Sequence, residues 1–176
     1  MKTNHITFLG ALVAVLVAGG YVLYVLSKAM PIPGGKFLVM GPYLSLIMLI
    51  ALLRLKSVWS MTFVSLPFAV VISAFTPVMG AAIISAGILS DITGRLLFGT
   101  KLSDLRLCLR AALYPMWAIV LSLSISDYLT GNLLYGKAGL QPLILGAILA
   151  YALGIVGAFA GLSVTRRMWP YLLRDW

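Results

Sequence analysis

Six long apolar runs, separated by short segments rich in proline, glycine or basic residues, dominate the pattern of the chain. Runs of roughly 18 or more apolar residues are typical of membrane-spanning helices, whereas a β-barrel shows short alternating segments. The pattern therefore predicts an all-α integral membrane protein, a compact bundle of six transmembrane helices forming a single domain over 1–176. The predicted helices cover about 6–29, 37–53, 58–75, 78–98, 110–130 and 141–164.

Composition agrees with this interpretation. Hydrophobic residues make up 62% of the chain and charged residues 10%, with a mean hydropathy of +1.08. A soluble domain carries about a quarter charged residues. The first run has no A-x-A cleavage site after a short apolar core, so we interpret it as a helix of the mature protein.

Basic residues sort between alternate connections. The chain has 13 Lys and Arg against 4 Asp and Glu. With a cytoplasmic N-terminus, one side holds ten of them: Lys2, Arg54, Lys56, Arg95, Lys101, Arg106, Arg110, Arg166, Arg167 and Arg174. The other side holds Lys28, Lys36 and Lys137. The positive-inside rule therefore predicts that both termini are cytoplasmic, and it explains the net charge of +9 without a nucleic-acid partner.

Catalytic and metal-binding signatures are scarce. Cys108 is the single cysteine and His5 the single histidine, which excludes an internal disulfide and a multi-histidine metal site. The sequence contains no Walker A loop, no H-E-x-x-H and no G-x-S-x-G motif. We expect no enzyme, no cofactor and no metal.

Small residues recur at helical spacing on the first predicted helix, at Ala11, Ala14 and Ala18. Such faces allow close approach of helix backbones in lipid. They serve either packing within the bundle, which base rates favour, or docking of a partner membrane protein. Similar faces on the fourth and sixth helices, which contain Gly87 and Gly157, favour packing within the bundle.

Acidic residues inside the apolar runs are costly and usually paired or functional. Asp91 and Arg95 lie four residues apart on the fourth helix, so they share a face and predict a structural ion pair.

A second group of polar and aromatic side chains falls in the outer half of the bundle. These candidate substrate-binding residues are Tyr43, Trp117, Asp127, Tyr128, Asn132 and Gln141. Aromatic walls with a few convergent polar groups are typical of a small-molecule pocket, while an aromatic belt at the membrane boundary is the equal alternative.

The chain resembles the substrate-binding S components of energy-coupling factor transporters, in their MptD-like or Trep_Strep branch. The residues that carry the resemblance are Gly41-Pro42-Tyr43 before the basic Arg54-Leu-Lys56, the run Gly87-Ile-Leu-Ser-Asp91 followed by Arg95 and Lys101, and the spaced Gly154, Gly157 and Gly161 leading into Arg166-Arg167. Two positions depart from the family: the acid on the fourth helix is Asp rather than Glu, and the tail contains Trp169-Pro170.

The resemblance implies an uptake subunit of an ABC-type transporter in the cell membrane. Such a subunit captures a small organic micronutrient, a vitamin or a precursor, from outside. Ala11, Ala14 and Ala18 would dock on a transmembrane coupling subunit that two ATPase subunits drive. The pocket would lie between the outer ends of helices four to six, under the loop over 30–36. From another class, the alternative is a structural or assembly membrane protein of a larger complex, surrounded by the same membrane lipids.

Overall fold

The computed structural model describes residues 3–27, 35–74, 76–99, 103–130 and 140–168, with the side chains of 3–5, 35–38, 126–130 and 142 left aside. Six α-helices account for nearly all of the described residues, and none of these residues is in a strand. The helices are α1 Thr3–Ser27, α2 Gly35–Leu55, α3 Ser60–Ser73, α4 Pro77–Phe98, α5 Asp104–Thr130 and α6 Gln141–Met168. The prediction of an all-helical chain is confirmed for this part of the sequence.

The helix bounds agree with the predicted ones to within four residues, except at the start of α5. The sequence predicts a start near residue 110, whereas α5 begins at Asp104. An acidic side chain in the first turn interacts favourably with the helix dipole, and the amide of Leu107 donates to the carbonyl of Ser103 at 2.9 Å. The charged residues of this segment therefore form the first turns of a helix rather than a loop.

Of the six described helices, four contain a stretch that is long and apolar enough to cross a bilayer, over Ile6–Ser27, Pro77–Phe98, Asp104–Ile125 and Leu143–Met168. Two apolar helical segments are shorter, Val39–Leu55 in α2 and Ser60–Ser73, which is the whole of α3. At 1.5 Å per residue α3 is about 21 Å long, less than the roughly 30 Å hydrocarbon thickness. The protein is therefore a helical membrane protein in which α3 is shorter than the other helices.

The centre of the fold consists of α2, α5 and α6, which pack closely against one another. The pair α3 and α4 contacts this centre mainly through α5, and α1 packs against α2 and α3. Leu16, Met48, Leu52, Met61 and Tyr114, which come from four different helices, are fully buried in the common core. Helix α1 is therefore the most peripheral element, and much of its surface faces outward.

Glycines on α6 set the close approach of the central helices. A Cβ on Gly157 would collide with the backbone of Pro42 in α2. A Cβ on Gly154 would lie 2.7 Å from the Ser45 hydroxyl and 3.0 Å from Cγ of Pro115 in α5. The prolines of α2 and α5 thus fit against the glycines of α6, as small residues permit in lipid.

Three contacts place the beginning of α1 and the end of α6 at the same end of the bundle. The guanidinium of Arg54, in the last turn of α2, lies 5.8 Å from the ring centroid of Phe8 in α1. Arg110 of α5 reaches the connection between α2 and α3, where it donates to the carbonyl of Val58. Arg166 of α6 pairs with Asp104 at the start of α5. We call this the basic end.

Candidate functional site

A buried carboxylate of α4 caps the N-terminus of α3. Oδ2 of Asp91 accepts hydrogen bonds from the amide of Thr62 at 2.8 Å and from its hydroxyl at 2.7 Å, and Oδ1 accepts one from the amide of Met61 at 3.4 Å. The first amides of a helix have no partner within the helix, and the N-cap residue Trp59 supplies no side-chain bond. Asp91 therefore does from a neighbouring helix what an N-cap side chain ordinarily does.

The charge of Asp91 is balanced from a third helix. Nη2 of Arg110 lies 3.5 Å from Oδ1 of Asp91 and donates to the carbonyl of Val58 at 2.8 Å. Both side chains are almost fully buried. Nε of Arg110 is buried without a partner among the described atoms. The junction of α3, α4 and α5 is therefore held by an ion pair that also satisfies the start of a helix.

Glycines on one face of α4 make room for this junction. A Cβ on Gly87 would lie 2.8 Å from Cβ of Ser65 and 3.2 Å from Cα of Thr62, and a Cβ on Gly94 would lie 2.7 Å from Cγ of Arg110. The small face of α4 thus lets α3 approach close enough for Asp91 to reach its amides. It also gives the Arg110 stem a groove.

The predicted pairing of Asp91 with Arg95 is replaced by the pairing with Arg110. Arg95 is exposed, whereas Asp91 is buried, although the two residues are one turn apart. The difference arises because Asp91 faces α3 and α5, whereas Arg95 lies about 40° further around the α4 axis, where its side chain is exposed. Arg110 and Thr62 were missed as partners since no local spacing links them to Asp91.

Further polar contacts follow the same helix interfaces. The hydroxyls of Ser65 and Tyr114 lie 3.3 Å apart between α3 and α5, and Nε1 of Trp117 donates to the Thr93 hydroxyl at 3.0 Å between α5 and α4. Such bonds fix the rotation of each helix against the next. These hydrogen bonds have a structural role, because the only carboxylate at these interfaces among the described residues is Asp91, which caps α3.

Two predicted pocket residues use their polar atoms in helix contacts. The hydroxyl of Tyr43 donates to the carbonyl of Val15 in α1, beside Gly19, while Trp117 is bonded to α4. Both rings also pack against the common core. The structure therefore does not bring Tyr43 and Trp117 together around one open polar cavity.

The other predicted pocket residues lie at the edge of the described part. Asp127 and Tyr128 belong to the last turns of α5, and their side chains are outside the described residues, as is Asn132 altogether. Gln141 begins α6 and is exposed. That these four residues contribute to one ligand-binding pocket stays a prediction.

An apolar groove of about 260 Å³ runs between α5 and α6. Its walls are formed only by apolar and aromatic side chains, namely Met116, Val120, Leu143, Ile144, Ala147, Ile148 and Tyr151. None of the predicted pocket residues lines it. A groove of this composition matches hydrocarbon rather than a polar nutrient.

Ala11, Ala14 and Ala18 lie on the outward face of α1. Gly10 shares this face, and a Cβ placed on it would meet nothing within 4 Å. The opposite side of α1 packs into the core through Leu12, Val13 and Leu16. The interpretation of the three alanines as internal packing residues is therefore wrong, and their face is open. We call Gly10, Ala11, Ala14 and Ala18 the α1 small-residue face.

Comparison with known proteins adds no assignment, since no protein-family model, no curated protein and no solved structure matches the chain. Among the described residues, no group of three or more His, Cys, Asp or Glu side chains could hold a metal ion. The functional interpretation therefore depends on the surfaces and contacts of the chain itself.

Proposed function

We propose that the protein is a substrate-binding subunit of an uptake transporter that docks on a transmembrane partner through α1. The observation that carries the proposal is the α1 small-residue face. Ala11, Ala14 and Ala18 point away from the bundle, and α1 is anchored to α2 by its other side.

Helices in lipid have no hydrophobic driving force toward one another. Large and small apolar side chains are both compatible with contact to acyl chains. A small-residue face therefore contributes to stability only where the backbone of another helix packs closely against it. On α4 and α6 such faces are filled by neighbouring helices of the same chain. The open face on α1 therefore supports a partner helix from another protein.

The resemblance to S components of energy-coupling factor transporters gives the partner its class. The coupling subunit would contact α1, and two ATPase subunits would supply energy, because this chain has no Walker A loop. Under this proposal all six helices cross the cell membrane, and the basic end faces the cytoplasm. The ligand would be a vitamin-sized organic molecule bound at the opposite end, near Asp127, Tyr128, Asn132 and Gln141.

The test of docking is copurification with the coupling module after substitution of the small-residue face. Ala14→Leu combined with Ala18→Leu should abolish copurification of the membrane subunit and the ATPase pair, while the protein itself remains folded. Ala152→Leu is the matched control, since Ala152 is an exposed alanine on α6. Equal loss with both variants, or no loss with either, contradicts docking through α1.

The test of ligand binding is native mass spectrometry of the gently purified protein. We expect one bound small molecule and ATP-dependent uptake of that molecule only with the partner subunits. Asp127→Asn should lower its occupancy if the outer end holds the site. Failure to bind any vitamin-sized compound contradicts the uptake function while leaving the docking result valid.

A second candidate function is a structural or assembly subunit of a membrane complex. It is favoured by the hydrogen bonds of Tyr43 and Trp117, which are used between helices rather than toward a ligand. In this case the variants of Ala14 and Ala18 would also lose their partner. The captured complex would then contain no ATPase pair, and no small molecule would accompany the protein.

A further inference from the structure

Helices α3 and α4 pack against each other along the length of α3. A Cβ on Gly80 would lie 3.0 Å from the carbonyl oxygen of Ala69, and a Cβ on Gly87 would lie 3.2 Å from Cα of Thr62. The two backbones are therefore nearly in contact near both ends of α3, as small residues allow in lipid. We call these two helices the α3–α4 hairpin and expect it to keep its shape when it moves.

One face of α5 makes the polar contacts between the α3–α4 hairpin and the rest of the bundle, among the described residues. Arg110, Tyr114 and Trp117 follow one another at spacings of four and three residues, which places them on the same side of the helix. Their partners on the hairpin are, in the same order, Asp91, Ser65 and Thr93. The hairpin is therefore held by a polar stripe on a single neighbouring helix.

These polar contacts lie in the half of the hairpin that is nearer the basic end. Asp91 and Thr93 belong to the last third of α4, and Ser65 to the first half of α3. In the other half, no described side chain forms a hydrogen bond with another helix, and contact with the common core is made by apolar residues such as Phe68 and Ala86. Acyl chains can replace apolar contacts but not hydrogen bonds. The hairpin is therefore held more firmly at its basic end.

Both connections of the hairpin to the rest of the chain also lie at the basic end. Lys56 follows α2 and Gly99 follows α4, and these are the only described residues with a positive φ, of 46° and 72°. Residues that end a helix are the usual positions of hinges. At the far end, the amide of Thr76 donates to the carbonyl of Ile72, and its own carbonyl accepts from the amide of Gly80. The far turn is thus part of the hairpin itself.

We infer that the α3–α4 hairpin tilts as one body about the ion pair of Asp91 and Arg110, so that its far end moves away from α5 and opens a cleft toward the lipid. Val78 lies about 20 Å along α4 from Asp91, and Leu97 lies about 9 Å from it in the other direction. A rotation of about 15°, as in other rigid-body transitions, moves Val78 by about 5 Å and Leu97 by about 2 Å. The inference is independent of the proposed uptake function.

The experiment measures distances between pairs of spin labels by pulsed electron paramagnetic resonance, on the full chain in lipid nanodiscs. The labels are attached to introduced cysteines after replacement of the buried Cys108 by alanine. Three pairs of exposed positions are labelled: Val78 with Leu145 at the far end, Leu97 with Val164 at the basic end, and Phe63 with Val78 within the hairpin. The far-end distribution should be about 5 Å broader than the distribution within the hairpin, and the basic-end distribution only about 2 Å broader.

A second arm tests the ion pair as the pivot. Asp91→Leu combined with Arg110→Met should broaden the basic-end distribution until it matches the far-end one, while Arg95→Gln, one turn away and exposed, should change neither. An unchanged basic-end distribution in the double variant overturns the pivot.

The tilt itself is overturned by any of three results without these variants. They are a far-end distribution no broader than that within the hairpin, equal broadening at the two ends, and a broad distribution within the hairpin. Because these comparisons keep Asp91 and Arg110, the inference stays testable if the double variant fails to fold.

Discussion

Small residues form faces on α4 and α6 and also on α1. The faces on α4 and α6 pack against neighbouring helices, whereas the face on α1 is exposed. Gly87 and Gly157 lie so close to neighbouring helices that a Cβ would collide with them. Gly10 meets nothing within 4 Å, and Ala14 beside it is exposed. The same residue types thus close one part of the bundle and leave another part open.

The difference shows that a small-residue pattern on a membrane helix carries no information about its partner. The pattern only indicates that a backbone can approach. On α4 the approach of α3 brings a carboxylate to two amides, and on α6 the approach of α2 brings Pro42 against a glycine. On α1 no described helix approaches the small-residue face, which is the basis of the proposed docking.

The largest effect is expected where the closed face of α4 holds the polar junction. Asp91→Ala should lower the free energy of unfolding by about 3–5 kcal/mol, because Arg110 is then left as an unpaired buried charge and two amides of α3 lose their acceptor. SDS-induced or thermal unfolding of the purified protein in detergent measures the change.

Two companion variants separate the ion pair from general damage to α4. Arg95→Ala should change stability by less than about 0.5 kcal/mol, since Arg95 is exposed. Replacing both Asp91 and Arg110 by leucine and methionine should cost less than Asp91→Ala alone, because no charge is then left unpaired. Equal losses for Asp91→Ala and Arg95→Ala would show that the pairing with Arg110 is not what stabilises the junction.

The next effect compares the closed and open glycines directly. Gly157→Ala should destabilise the bundle by about 2–3 kcal/mol, since the added methyl group must push α6 away from the backbone of Pro42. Gly10→Ala adds the same methyl group in open space and should be neutral or slightly stabilising. The shift of each variant's unfolding midpoint in detergent, relative to the wild type, measures the difference between the two glycines. Equal destabilisation by the two substitutions would contradict it.

Much of the fold follows from the sequence because long apolar runs leave helices as the only satisfied backbone structure in lipid. The predicted helices overlap all six described ones. The start of α5 was missed since Asp104 and Arg106 resemble loop residues, and the reason for their helical structure lies in the helix dipole and in Arg166, which is 62 residues away from Asp104.

The candidate sites are less accessible to sequence reasoning. Helical periodicity correctly marks Asp91 as a residue with a partner, but it offers only Arg95, while the observed partner Arg110 lies on another helix. Tyr43 has the composition of a pocket residue, and only the crossing of α1 and α2 shows that its hydroxyl reaches Val15. Both outcomes depend on helix rotation, which a stretch that is apolar all around does not specify.

A smaller effect is expected at the joint that holds α1 to α2. Tyr43→Phe removes the hydrogen bond to the Val15 carbonyl and keeps the ring in place, so it should lower stability by about 1 kcal/mol. Because α1 is peripheral, protection of its amides from hydrogen exchange should fall more than that of α6. Uniform loss of protection over all helices would mean that α1 is not a separate unit.

The smallest effect is expected at the basic end, where Asp104 pairs with Arg166 in water-accessible surroundings. The two side chains are 49% and 57% exposed, and exposed ion pairs contribute little after screening and side-chain ordering. Asp104→Asn should therefore shift stability by less than about 0.5 kcal/mol, and high salt should have a similarly small effect on the wild type. Thermal unfolding in low and high salt provides the measurement. If Asp104→Asn lowered stability as much as Asp91→Ala, the pair of Asp104 and Arg166 would be as important to the fold as the buried pair. The proposed difference between the two acids would then be wrong.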